Sequence, residues 1–199
     1  MVKYLKKIPK LDLRLSILEK NKINFELLKL ENKIEQTIKI IYKKLLRGGK
    51  IFLCGNGGSA ADAQHLAAEF LIRLRPNVNR NPVPAISLAM DTSTLTACCN
   101  DYNFKYIFSR NLEALGNKKD ILIAISTSGN STNVIEALRT ARKNKILSIG
   151  FLGKTGGKAK KYCDMSLNIP SNKTSRIQEC HIFLGHYIFE KVEDLLLIR

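Results

Sequence analysis

The stretch Ser126-Thr127-Ser128-Gly129-Asn130-Ser131 places four hydroxyls and several backbone N–H groups where a predicted helix begins. Such a cradle binds a phosphate monoester through neutral donors and the positive end of a helix, with no need of a metal or a lysine. One or two hydroxyls suffice for an ordinary helix cap, so four within six residues point to a ligand. The Gly-Lys-Ser/Thr ending of a P-loop is missing, which favours a sugar phosphate over a nucleoside triphosphate.

A second loop, Cys54-Gly55-Asn56-Gly57-Gly58-Ser59-Ala60, also runs straight into a predicted helix. Its glycines permit positive φ and close approach of backbone to an anion. The segment fits GxGxxA, but a dinucleotide site also needs an acidic residue about 20 positions on, and residues 75–80 offer none. No NAD is expected. On the helix that follows, His65 and Glu69 stand four residues apart and share a face, a spacing that suits a general base, a metal site or a plain surface ion pair. The last predicted helix carries Gln178, His181 and His186. Gln178 and His186 lie about 80° apart around its axis and about 12 Å apart along it, on one broad side. His181 lies about 140° from His186 and is expected to be outward or structural. A single metal could join Gln178 and His186 only if their side chains lean together or come from different subunits.

The elements that must position these residues read as an α/β chain. Short apolar runs at 51–54, 85–88, 121–125, 146–151 and 165–169 suggest strands. Amphipathic segments at 59–73, 103–115, 131–144 and 175–197 suggest helices between and after them. Strand–helix alternation predicts a three-layer sandwich: a mostly parallel five-stranded sheet, flavodoxin-like, with helices on both faces. Ligands of such sheets bind beyond the carboxyl ends of the strands, where both loops fall. Ahead of the sheet, apolar positions from 24 to 47 repeat near 3.6 until Gly48 and Gly49, and another short helix is expected around 11–18. Residues 1–48 are thus an N-terminal helical extension packing on a domain of 49–199, in a single structural domain overall.

Composition narrows the class. The 199 residues are 45% hydrophobic and 25% charged, close to globular averages, which excludes collagen-like, mucin-like and disordered chains. The net charge is +16, from 33 Lys and Arg against 17 Asp and Glu. Residues 1–50 contribute 14 basic and 5 acidic side chains, mostly Lys at helical spacing, with few Arg and no interleaved aromatic row. That pattern reads as a solvated helix face rather than a nucleic-acid stripe. No apolar run reaches the ~18 residues of a membrane span, and the first ten residues lack a signal-peptide core. Five cysteines without CxxC spacing suit reduced, buried thiols, and a cytoplasmic location is expected.

Several stretches in order carry a resemblance: CGNGGSAADAQHLAAEF at 54–70, PAISLAMDTSTLTACCNDYNF at 84–104, IFSRNLEALG at 107–116, DILIAISTSGNSTNVIEAL at 120–138 and SRIQECHIFLGH at 175–186. Together they resemble the sugar isomerase (SIS) domain family over residues 30–197. Within it they are most similar to isomerases that convert sedoheptulose 7-phosphate to D-glycero-D-manno-heptose 7-phosphate. The resemblance implies an aldose–ketose isomerase working through an enediolate, at the first step toward nucleotide-activated heptose for lipopolysaccharide, a capsule or a glycosylated surface layer. It implies that Asn56, Gly57, Gly58, Ser59, Glu69, Asn100, Asp101, Ser126, Thr127, Ser128, Ser131 and Gln178 surround the sugar phosphate, and that Glu69 and His186 are the acid/base pair. It implies one zinc per subunit on His65, Glu69, Gln178 and His186, and a homotetramer with active sites at subunit interfaces.

Two relatives are set aside on the residues present. SIS proteins that bind the replication initiator DnaA lack the matching Glu and His, whereas Glu69 and His186 are both here. Arabinose 5-phosphate isomerases append CBS domains for which 199 residues leave no room. The chain departs from its family at Phe70-Leu71-Ile72-Arg73-Leu74, where Leu-x-Gly-Arg is common. Asp101 is expected to accept hydrogen bonds from sugar hydroxyls, its bland alternative being a helix cap before Phe104.

Overall fold

The computed structural model describes residues 12–198. Five strands form one parallel sheet in the order β2-β1-β3-β4-β5. They are β1 (Ile51–Cys54), β2 (Ala85–Ser87), β3 (Ile121–Ser126), β4 (Leu147–Gly153) and β5 (Met165–Ile169). Successive side chains of a strand face opposite ways, and both faces here are apolar. Ile51, Leu53, Ile121, Ile123, Ile149 and Phe151 enter one core layer, while Phe52, Cys54, Leu122, Ala124 and Leu152 enter the other.

The first layer is covered by α1 (Leu13–Leu27), α2 (Glu31–Leu46), α3 (Gly58–Leu71) and α7 (Thr174–Leu197). The second is covered by α4 (Thr92–Asp101), α5 (Ile107–Leu115) and α6 (Thr132–Lys143). The expected three-layer sandwich with an N-terminal helical extension is the observed fold. Residues 1–11, part of that expected extension, lie outside the described residues.

Three local expectations are corrected. The helix expected over 24–47 is two helices joined by a single 3-10 turn at Leu28–Leu30, and the short helix expected around 11–18 is the start of a longer α1. Apolar spacing at Ile23, Leu27, Leu30, Ile34, Ile38 and Ile41 runs on through that turn, so periodicity carries no sign of it. The segment expected over 103–115 is a 3-10 turn at Phe104–Tyr106 leading into α5. Helix α4 was unexpected, because Thr-Ser-Thr-Leu-Thr-Ala-Cys-Cys-Asn-Asp has weak helix formers and no apolar stripe. Its one signal is Asp91, whose carboxylate accepts from the Ser93 and Thr94 amides as an N-cap.

The amino end of the sheet is closed by structure alone. Asp120, fully buried, accepts from the Lys50 amide at 2.9 Å, the Asn117 amide at 2.8 Å and Lys50 Nζ at 2.9 Å. The carboxyl end is where strand order reverses, between β1 and β3, and the glycine loop and the hydroxyl loop leave the sheet there side by side. No helix among the described residues is long and apolar enough to cross a membrane.

Candidate active site

The hydroxyl loop is shaped by its contacts. Ser126, at the end of β3, accepts from the Gly129 amide at 3.1 Å, and its Oγ lies 3.3 Å from Ser131 Oγ. Gly129 has φ +64°, and a Cβ there would lie 2.0 Å from the Gly156 carbonyl oxygen, so only glycine fits. The loop at 156–159 braces it further, the Ala159 amide donating to the Gly129 carbonyl at 2.8 Å. Ser131 is the N-cap of α6 yet makes no side-chain cap bond. Its hydroxyl and the opening turn of α6 therefore remain available to an anion. Thr127 is half-buried and Ser128 exposed, its Oγ accepting from the Asn130 amide at 3.1 Å.

The glycine loop packs against this one. Asn56 and Asn133, the latter fully buried on α6, exchange two amide hydrogen bonds of 2.8 Å each. The Asn56 side chain is thereby held in place within the protein, with one N–H and one lone pair of its amide left over. Asn133 is a residue the sequence reading did not single out; nothing marks an Asn in a helix's first turn as the partner of a distant loop. Gly57 has φ +56° and opens α3 without a side-chain cap, and Ser59 is buried in that helix's first turn. Gly58 lies under Gln178, whose Nε2 would be 2.5 Å from a Cβ at that position, so α7 reaches the loop through Gln178.

The i, i+4 spacing on α3 places His65 Nε2 at 3.3 Å from Glu69 Oε1. From α7, His186 Nε2 meets His65 Nε2 at 2.8 Å. Single ligand atoms of His65, Glu69 and His186 all lie within 4.8 Å of one another. Burial, and secondarily the neighbouring His65, lowers the His186 pKa below the usual imidazole value, against a smaller opposing effect of Glu69. His186 is therefore a neutral base at neutral pH. Two imidazole nitrogens aimed at each other beside a carboxylate are a donor set that fits zinc. These three residues suit the metal that the resemblance implies, while the fourth expected ligand, Gln178, has its amide against Gly58. Asp62, one turn earlier on α3, was not anticipated; burial raises its carboxyl pKa, partly opposed by His65, and its Oδ2 lacks a partner among the described residues.

The remaining candidates sit apart from this cluster or serve packing. Asn100 donates to Asp101 Oδ1 at 2.8 Å at the end of α4, and no hydrogen bond joins either to His65, Glu69 or His186 among the described residues. Asp101 is not the cap before Phe104; that role belongs to Asn103, which accepts from the Lys105 amide. His181 is fully buried beside Phe151, so of the two expectations for it the structural one holds. Burial pulls its pKa down to about 4. Cysteines 54, 98 and 180 are buried and Cys163 partly so, but Cys99 is exposed, contrary to expectation, because it lies on the outer face of the unforeseen α4. Burial pushes the Cys54 and Cys163 thiols up, the latter to about 12, which removes both as nucleophiles at neutral pH.

Comparison with known proteins gives the family and the fold. The SIS domain family model matches residues 22–153. A phosphoheptose isomerase from Clostridium acetobutylicum is 49% identical over 163 residues, covering 82% of each chain. One from Chlorobaculum parvum is 51% identical, covering 79% of this chain and 76% of its own. Among solved structures, a phosphoheptose isomerase from Neisseria gonorrhoeae aligns with a TM-score of 0.83 at 40% identity, over 90% of this chain and 96% of that one. Another, from Francisella tularensis, aligns with a TM-score of 0.86 at 33% identity, over 90% and 95%.

Proposed function

The chain belongs to the SIS domain family, among its phosphoheptose isomerases, and from that premise we propose that it interconverts sedoheptulose 7-phosphate and D-glycero-D-manno-heptose 7-phosphate through an enediolate. The observation that carries this reading is the convergence of Glu69 and His186 from α3 and α7, two helices that both reach the glycine loop, at Gly58 and Gln178.

Moving a carbonyl by one carbon requires a proton to leave the carbon beside it and a proton to return to the neighbouring carbon. Ser126, Thr127, Ser128 and Ser131, with the N-terminus of α6, hold the phosphate and fix the open-chain sugar by its far end. That remote binding energy positions the reactive end. Asn56, Gly57, Gly58, Ser59 and Gln178 line the approach through backbone and amide groups, and Asn100 and Asp101 accept or donate to sugar hydroxyls. Glu69 takes the proton from carbon and returns it to the next carbon, while neutral His186 shuttles protons between the two oxygens. His65, Glu69, Gln178 and His186 would hold a zinc ion, which would occupy the acid/base groups themselves and supply Lewis-acid polarisation of sugar oxygens.

The enzyme in this reading is a cytoplasmic homotetramer. Phe25, Leu28, Phe183 and Tyr187 are exposed large apolar side chains on α1, the turn after it and α7. Pairing with further copies would bury them. Incubation of the purified protein with sedoheptulose 7-phosphate, followed by NMR, tests the activity: appearance of an aldoheptose phosphate supports it, and an unchanged ketose spectrum contradicts it.

A further inference from the structure

Helix α3 ends two residues after Glu69, so the carbonyls of its last turn need partners outside the helix. Arg80 supplies them. Its Nη2 donates to the Glu69 carbonyl at 2.7 Å and its Nη1 to the Phe70 carbonyl at 2.9 Å. The same guanidinium donates through Nε to Glu193 Oε1 at 2.5 Å. The Arg80 side chain is 5% exposed and that of Glu193 is 0% exposed, so the pair is withdrawn from water. The other oxygen of Glu193 accepts from Arg75 Nε at 2.6 Å, and Arg75 Nη1 pairs with Asp194 at 2.7 Å.

Glu193 follows His186 on α7 by seven residues, about two turns, and lies on the same side of the helix. Phe70 and Phe189 stack between the two helices with ring centroids 3.8 Å apart. One planar group is therefore bonded to the backbone of Glu69 at one edge and to the helix that carries His186 at the other. A buried ion pair is a poor way to gain stability, since desolvation offsets most of the attraction. Its particular property is direction. A guanidinium fork with several fixed donors sets the relative position of what it joins, which a lysine ammonium does not.

We propose that Arg80 and Glu193 form a clamp that sets Glu69 against His186, making both positioning residues for the isomerisation. The clamp rests on the proposed activity only for its consequence in turnover; its effect on α3 is independent of any substrate. Arg80→Lys keeps the charge and loses the fork, and Glu193→Gln keeps the volume and an acceptor. Leu112→Ala, a truncation in the opposite core layer, serves as a control for plain destabilisation.

In the intact protein, either clamp variant should lower kcat roughly tenfold or more, as misplacement of reacting groups does. KM for sedoheptulose 7-phosphate and affinity for inorganic phosphate should stay within about twofold. Amide exchange at residues 69–72 should quicken while that at 129–134 stays as in the parent protein. Leu112→Ala should lower the melting temperature without a comparable loss of kcat. Unchanged exchange at 69–72 in a folded clamp variant overturns the proposal even if the parent protein turns over no sugar, a result that separately removes the isomerase reading. Undiminished kcat, or an equal loss in Leu112→Ala, overturns it too. Should Arg80→Lys fail to fold, the isosteric Glu193→Gln carries the same measurements.

Discussion

His65 Nε2 and His186 Nε2 lie 2.8 Å apart although 121 positions separate them in the chain. Neither nitrogen meets the other by accident of a flexible surface, because α3 and α7 are packed through Leu66 and Gly185. A Cβ at Gly185 would lie 2.5 Å from a Leu66 methyl, so a larger residue there would force the Leu66 side chain to shift. The site is thus a product of helix packing, and its reactive groups inherit the rigidity of the core.

The hydroxyl loop should act on binding rather than on chemistry. Ser128→Ala combined with Ser131→Ala is expected to raise KM for the sugar phosphate and weaken affinity for inorganic phosphate. Each lost hydrogen bond to a charged group contributes about 1.5–3 kcal/mol. Calorimetric titration with inorganic phosphate measures this, and unchanged affinity would move the phosphate elsewhere.

Gly129 tests the shape of the same loop without removing a hydroxyl. Gly129→Ala must accommodate a Cβ at φ +64° and 2.0 Å from the Gly156 carbonyl oxygen. It should cost about 1–3 kcal/mol in unfolding free energy and reduce phosphate affinity together. A variant with parental stability in urea would show that the loop is not held as described.

Much of this was legible in the sequence. Strands flanked by turn residues, and two glycine- or serine-rich loops after β1 and β3, are local signals, and each of those strands lies within about two residues of its expected bounds. The face shared by His65 and Glu69 follows from helical spacing alone. The meeting of α3 with α7 does not, because no local pattern encodes which helices of a layer touch. For the same reason Asn133 and Arg80 went unmarked. Their partners, Asn56 and Glu193, are 77 and 113 positions away, and an Arg in a loop is most often solvated. Helix α4 was missed because packing context overrides weak propensity.

Acid stability should be set in part by His181. Its folded pKa is about 4 against an ordinary 6.5, so between those values the unfolded chain takes up a proton that the native state does not. Stability present above pH ~6.5 is therefore lost as pH falls toward ~4, by up to ~3 kcal/mol. Burial outweighs an opposing backbone contact with Leu152, and His181→Leu removes the proton uptake. Urea midpoints measured from pH 7 to pH 4 should fall less steeply in that variant; equal slopes would contradict the assignment.

The apolar surface of α7 offers a test of assembly. Phe183 is 52% exposed and Tyr187 is 42% exposed in the single chain. Light scattering at micromolar concentration should report a tetramer, and Phe183→Glu should shift it toward smaller species. A monomeric parent protein would leave these side chains without the partner proposed for them.

The role of Glu69 is tested most directly by the turnover of Glu69→Gln with sedoheptulose 7-phosphate, measured alongside inorganic phosphate affinity. Phosphate binding should stay within about twofold while kcat falls roughly 10²-fold or more, the scale on which acid/base groups act. Turnover at the parental rate would contradict that role.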